Sequence, residues 1–279
     1  MILPVLPSSI LTLKPNNLDP LPCNMLFFEA HNYVLENNST ITKIGRGFSY
    51  FSVFFIIYFL ENLTMTDNKD SETTTDSEFA KKVAAYIEPI LKHLDTEDVI
   101  VEKDKITELF VKLWEYEGGE KLDAATQRLT ILALFMYTTH NVLEDYNIRI
   151  DRARQYITHA LQEWLKPEME KAIADEKAST NPFKAFVDSN QNNFDDTFGW
   201  EHFMPDVKKN DETELNFKFK KCWFAEFFIR FGRVDHIPTA CEFDKIPWNA
   251  REDYVDLKLT NLFAKLGTLC QFKYTPIKK

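Results

Sequence analysis

Three thiols and one carboxylate in the last third of the chain, Cys222, Cys241, Asp244 and Cys270, stand in a C-x18-C-x2-D-x25-C arrangement. These residue types could supply a nucleophile, an acid or base, and a wall of soft ligands. A thiolate attacks electron-poor carbon, and a carboxylate holds a cation or moves a proton. The two at closest spacing, Cys241 and Asp244, fall at i and i+3, so on a helix they share a face. A carboxylate beside a thiol raises the thiol pKa and weakens it as a nucleophile unless a cation intervenes. Asp244 is therefore better suited to binding a cationic amidine, or to positioning water, than to activating Cys241. Buried free cysteine is also an ordinary small core residue, so the thiols need a further argument before they count as a site. Three thiols with a histidine such as His202 or His236 could form a tetrahedral zinc site, but ligands so dispersed carry no zinc-finger spacing. The site is read with no metal and no other cofactor.

The elements that must position these residues are short strands and helices. Leu215, Phe217 and Phe219 alternate with Asn216, Lys218 and Lys220, the period of a strand with one buried face. Cys222 lies three residues further on, at the rim between that strand and a helix over 224–231 that stops at Gly232. Pro238 opens the next helix and brings Cys241 and Asp244 together. Val255, Leu257 and Leu259 alternate again, Gly267 interrupts, and 269–274 reads as a returning antiparallel strand that carries Cys270. Ahead of this region the pattern is helical. Phe79, Val83, Tyr86, Ile87, Ile90, Leu91 and Leu94 follow helical spacing, as do Ile106, Leu109, Phe110, Leu113 and Trp114, with Gly118 and Gly119 as the stop. A third helix runs from Asp123 to about Glu144, and a fourth from Asp151 to Leu165, ending before Pro167. The charged stretch 168–177 reads as a solvated helix face. His140 and His159 sit in these helices as surface or satisfied core residues. After Asn181-Pro182 an Asn-rich polar passage precedes the strands. The expected fold class is α+β: N-terminal helices followed by a small, mainly antiparallel sheet with packed helices.

The chain has 279 residues, 44% of them hydrophobic and 14% aromatic, enough for the core of one or two domains. Its formal net charge of −10 repels phosphate backbones and anionic lipid, which disfavours nucleic acid as a partner. Four scattered cysteines without a C-x-x-C pair fit reduced thiols in a cytoplasmic protein rather than a secreted disulfide scaffold. Residues 1–64 read differently from the rest. They hold several prolines and an apolar run over 48–60, shorter than the roughly 20 residues of a membrane-spanning helix. Membrane attachment would require that run to act as an anchor. The polar tract after Met65 looks like an ordinary flexible protein start, which marks Met65 as the expected initiator. The expected organisation is a non-core extension over 1–64, a flexible segment over 65–76 and one α+β domain over 77–279.

The segments Lys221-Cys222-Trp223-Phe224-Ala225-Glu226-Phe227-Phe228, Ile237-Pro238-Thr239-Ala240-Cys241-Glu242-Phe243-Asp244 and Gly267-Thr268-Leu269-Cys270-Gln271-Phe272 resemble the L-2-amino-thiazoline-4-carboxylic acid hydrolase family. The resemblance extends over about 132–274, with 132–137 and 151–157 similar to the helical lead-in. It departs where Thr268 stands in place of a second glycine and Lys258 in place of an arginine. Members of that family are associated with opening the ring of 2-amino-thiazoline-4-carboxylate to N-carbamoyl-cysteine. The resemblance thus implies a hydrolase acting on a small cyclic amidine, with Cys222 or Cys241 as nucleophile, Asp244 holding the exocyclic amidinium and Cys270 in the pocket wall. The rival reading is a non-catalytic small-molecule-binding or interaction module that keeps the fold.

Overall fold

The computed structural model describes residues 74–96, 100–191, 199–265 and 267–277. The extension expected over 1–64, including the apolar run 48–60, lies outside the described residues, as do most of the segment 65–76 and part of the Asn-rich passage.

Helices come first. α1 (Thr74–Ala84) and α2 (Glu88–Leu91) share the apolar stripe that begins at Phe79, but they are two helices rather than one. Pro89 is the reason: it has no N–H to give the carbonyl four residues back, so the chain turns and restarts. α3 (Lys103–Tyr116) buries Ile106, Phe110 and Trp114. The chain leaves it through Gly118, at φ 63°, into a 3-10 turn (Gly119–Lys121). Trp114 closes on that turn so tightly that a Cβ on Gly119 would stand 2.1 Å from its ring. α4 (Ala124–Asp145) is capped by Asp123, whose side chain accepts hydrogen bonds from the amides of Ala125 and Thr126.

α5 (Ile150–Ala178) continues through Pro167 instead of ending before it. The lost hydrogen bond is outweighed by burial on both sides of the proline, where Trp164, Leu165 and Met169 all face the core. The charged stretch 168–177 is the last part of this helix, and it is not wholly a solvated face, because Glu176 is buried. Its carboxylate takes Nε (2.8 Å) and Nη2 (2.7 Å) of buried Arg251 in a two-pronged pair and accepts from the Tyr254 hydroxyl. Arg251 also donates to the Pro247 carbonyl at 2.8 Å. α6 (Pro182–Gln191) occupies part of what reads in sequence as polar loop. Pro182 starts it, and Phe183, Phe186 and Val187 seat it in the core.

After α7 (Trp200–Phe203) come β1 (Pro205–Asp211) and β2 (Glu214–Phe219), then α8 (Trp223–Arg230), a 3-10 turn (Val234–His236), α9 (Ile237–Phe243) and α10 (Ile246–Asn249). β3 (Val255–Thr260) and β4 (Cys270–Pro276) flank a 3-10 turn over Phe263–Lys265. The four strands form one antiparallel sheet in the order β1-β2-β4-β3. β2 and β4, the central pair, put Leu215, Phe217 and Phe219 opposite Tyr274, Phe272 and Cys270, so all six fall on the one buried face. Phe217 stacks on Phe272 with ring centroids 4.9 Å apart. The fold is α+β, with the helices preceding the sheet and α8 and α9 packed back on α4 and α5.

Candidate active site

β2 ends at Phe219, directly across from Cys270 at the start of β4. Three residues on, Cys222 takes an extended backbone (φ −134°, ψ 106°) at the N-cap of α8. Its thiol therefore sits at the rim where sheet gives way to helix, as the alternation predicts. Pro238 lies in the first turn of α9, Cys241 in its last turn, and Asp244 is the capping residue, with its amide donating to the Ala240 carbonyl at 3.1 Å. α9 packs on the 3-10 turn over Phe263–Lys265. That turn is tied to the sheet by the Phe263 amide, which donates to the Cys270 thiol at 3.5 Å. Gly267 closes the connection by donating to the Leu262 carbonyl at 3.0 Å. A Cβ there would lie 2.5 Å from the Asn261 carbonyl oxygen, so the position admits no side chain without a shift of backbone.

The fold brings all four sequence-predicted residues into mutual electrostatic reach. Cys222 and Cys241 keep some exposure, Cys270 is buried, and all three are free thiols. Burial pushes the Cys222 thiol up to about 12, against the backbone amides of Ala225 and Phe224, which pull it down, and the charges of Cys270 and Asp244 add to the rise. Burial and then Asp244 drive the Cys241 thiol upward. Burial lifts Cys270 to about 11, opposed by the Phe263 amide. All three are neutral thiols at pH 7. Asp244 departs most usefully: burial raises its carboxyl from 3.8 to about 7. Its Oδ1 is shielded from solvent and has no hydrogen-bond partner among the described residues. A carboxyl poised near neutrality is suited to acid–base work.

A second buried polar group acts on this cluster. Tyr274, wholly buried at the far end of the buried face of β4, has no hydrogen-bond partner for its hydroxyl among the described residues, and burial together with the Asp244 charge holds it protonated. Sequence reasoning passed over it, although the signal was present: Cys270, Phe272 and Tyr274 alternate on a buried face, and only the last has a polar tip to satisfy.

The histidines lie elsewhere. His202 pairs through Nε2 with the Thr126 hydroxyl at 2.8 Å, and His236 stacks on His140 with ring centroids 4.2 Å apart. Neither joins the thiols. Among the described residues no group of three or more His, Cys, Asp or Glu is placed to hold a metal ion. His140 is a satisfied core residue, its Nε2 2.7 Å from the Thr239 hydroxyl of α9, and burial beside His236 keeps it neutral, down to about 2. It also lines a cavity of about 410 Å³ with Glu144, Asn147, Arg149, Arg233 and Asp235. That cavity contains none of the thiols and has its own charges already paired, Arg233 with Glu144 and Asp235, and Arg149 with Asp151. The chemistry-bearing cluster is the one around Asp244.

A family model described as L-2-amino-thiazoline-4-carboxylic acid hydrolase matches residues 131–274, just over half of the chain. The chain belongs to the L-2-amino-thiazoline-4-carboxylic acid hydrolase family. The matched span opens within α4 and closes at Tyr274, so the family region holds the whole Asp244 cluster and the sheet that carries it. No curated protein and no solved structure matches the chain. Among the described residues no helix is long and apolar enough to cross a membrane.

Proposed function

We propose that the protein is a hydrolase of the L-2-amino-thiazoline-4-carboxylic acid hydrolase type, opening a small cyclic amidine by attack at the carbon between nitrogen and sulfur. The observation that supports it is the meeting of three thiols from three separate segments around Asp244, a carboxyl of pKa about 7 with an unpartnered, shielded oxygen, inside the family-matched region. Cys222 is the nucleophile, because among the three thiols it alone stands at the N-terminal end of a helix, where backbone N–H groups favour the thiolate. Cys241 and Cys270 wall the site beside it.

In this mechanism the ionised Asp244 accepts the Cys222 thiol proton as sulfur attacks the amidinium carbon. Collapse of the tetrahedral adduct breaks the ring carbon–sulfur bond, and the departing thiolate takes the proton back from Asp244. The intermediate is an isothiouronium on Cys222. Water then attacks the same carbon, Asp244 receives the water proton, and as the carbon–Cys222 bond breaks the departing Cys222 thiolate takes that proton from Asp244. The products are N-carbamoyl-cysteine and the free thiol of Cys222, with the extra proton of the amidinium released to solvent. The partner is thus a small-molecule substrate, which needs neither nucleic acid nor a membrane.

The test is thiol release from L-2-amino-thiazoline-4-carboxylate by the purified full chain beside its Cys222→Ala and Cys241→Ala variants. Release by the parent, abolished in Cys222→Ala and reduced in Cys241→Ala, is expected. Full turnover by a folded Cys222→Ala protein would refute the nucleophile. The raised thiol pKa values favour a second reading, a binding module with inert core cysteines. It predicts no turnover and slow alkylation of every thiol at pH 7.5, whereas the hydrolase should alkylate at Cys222 first and be protected by substrate.

A further inference from the structure

The cavity of about 410 Å³ that contains none of the thiols lies where two long helices meet. His140 and Glu144 line it from the end of α4, and Arg149, Ile150 and Ala153 from the start of α5. Asn147, also in its wall, takes a left-handed φ of 59°, which lets residues 146–149 turn the chain from one helix into the next. The negative end of a 22-residue helix and the positive end of a 29-residue helix therefore open on one space. The side chains deepen that difference. On the α4 side one guanidinium serves two carboxylates: Arg233 holds Glu144 through Nη1 at 3.0 Å and Asp235 through Nε and Nη2, each at 3.1 Å. Its Nη1 also donates to the Asn141 side chain at 2.5 Å, so its donors are engaged while the acids outnumber it. On the α5 side no side chain caps the helix, and Arg149 commits only Nε, to Asp151 at 3.3 Å, in an exposed and therefore weak pair.

Between the two ends the wall is apolar, formed by Ile148, Ile150 and Ala153, except for His140. That residue is only 2% exposed, its Nε2 is taken by the Thr239 hydroxyl at 2.7 Å, and its ring makes no other hydrogen bond among the described residues. Buried polar atoms are nearly always paired, so the remaining ring nitrogen calls for a partner that the chain itself does not supply. We infer that this cavity binds an α-amino acid with an apolar side chain. Glu144 and Asp235 take its ammonium group, the free Nη edge of Arg149 and the first amides of α5 take its carboxylate, and the apolar wall takes its side chain. A simple anion would meet the surplus carboxylates and a simple cation would meet Arg149, whereas a zwitterion satisfies both ends. Binding here needs no turnover at the thiols, so it stands or falls apart from the hydrolase reading.

The experiment is calorimetric titration of the full chain at pH 7 with L-leucine and L-phenylalanine, and with the N-acetyl and the amide derivative of each. The N-acetyl compounds lack the ammonium group and the amides lack the carboxylate. At least one free amino acid should bind, and about tenfold or more tighter than either of its derivatives, since each blocked group loses a charge-assisted hydrogen bond. Glu144→Gln and Arg149→Gln replace exposed side chains, 65% and 85% accessible, so both variants should fold as the parent does. Glu144→Gln should weaken the free amino acid by about tenfold and leave its N-acetyl derivative unchanged; Arg149→Gln should weaken it similarly and leave the amide unchanged. Binding of neither amino acid by the parent would overturn the assignment. So would equal binding of an amino acid and its two derivatives, or affinities that both variants leave as they were.

Discussion

Replacing Asp244 by asparagine separates what the carboxyl does for chemistry from what it does to stability. In the folded protein this acid titrates near 7, against 3.8 ordinarily. Between those values the unfolded chain has released its proton while the folded chain still holds one, so stability falls as pH rises from about 4 to about 7 and is level above that. The gap corresponds to about 4 kcal/mol, taking about 1.4 kcal/mol per pH unit. Asparagine does not titrate, and any cost of burying its amide is the same at every pH. The stability of Asp244→Asn minus that of the parent should therefore climb by about 4 kcal/mol from pH 4 to pH 8, whatever its starting value. Urea unfolding at several pH values, followed by the fluorescence of the five tryptophans, measures it. Thiol release in the same variant should be lost, and in the parent kcat/KM should rise with pH through an inflection near 7, because the base must be ionised. A stability difference that is flat with pH would refute the argument, since it would mean that Asp244 is not held neutral by the fold.

Two further substitutions test the frame around the site. His236, shielded and with neither ring nitrogen hydrogen-bonded among the described residues, is pushed down to about 4 by burial and by Arg233 against the opposing charge of Asp235, 3.9 Å from its Nε2, so the folded state loses stability as pH falls below about 6.5. His236→Phe should retain the stack on His140 and show a shallower loss of melting temperature between pH 7 and pH 5, by the equivalent of about 2 kcal/mol; an identical acid limb would count against it. Arg251→Ala leaves the Glu176 carboxylate buried without its cation and should cost about 3–5 kcal/mol in urea unfolding, whereas Arg251→Met with Glu176→Leu should recover much of that loss.

The buried faces of β2, β3 and β4 were legible because their information is local, whereas β1, with both faces largely exposed, shows no such alternation. Leu215, Phe217 and Phe219, and Val255, Leu257 and Leu259, each declare a buried face by alternation alone, and Pro238 and Gly267 mark where the chain must turn. The departures share one cause, which is that tertiary burial outweighs a local rule. Pro167 reads as a stop, yet the apolar residues on either side carry α5 past it. Glu176 reads as solvated, yet Arg251, seventy-five positions away, gives it a reason to be inside. Pro89 works in the other direction and divides a stripe whose spacing is unbroken.

The candidate site divides along the same line. Residue type and spacing name Cys222, Cys241, Asp244 and Cys270, because thiols are few and their chemistry is distinctive. Spacing also suggests that the carboxylate would raise the thiols, and it does, but burial raises them more. That ordering changes the roles. A thiol near 12 cannot be the resting thiolate, so the proton must leave during attack, and the group able to receive it is the one that burial has brought to about 7. In the proposed mechanism Asp244 is thereby a base as well as an anchor for the amidine.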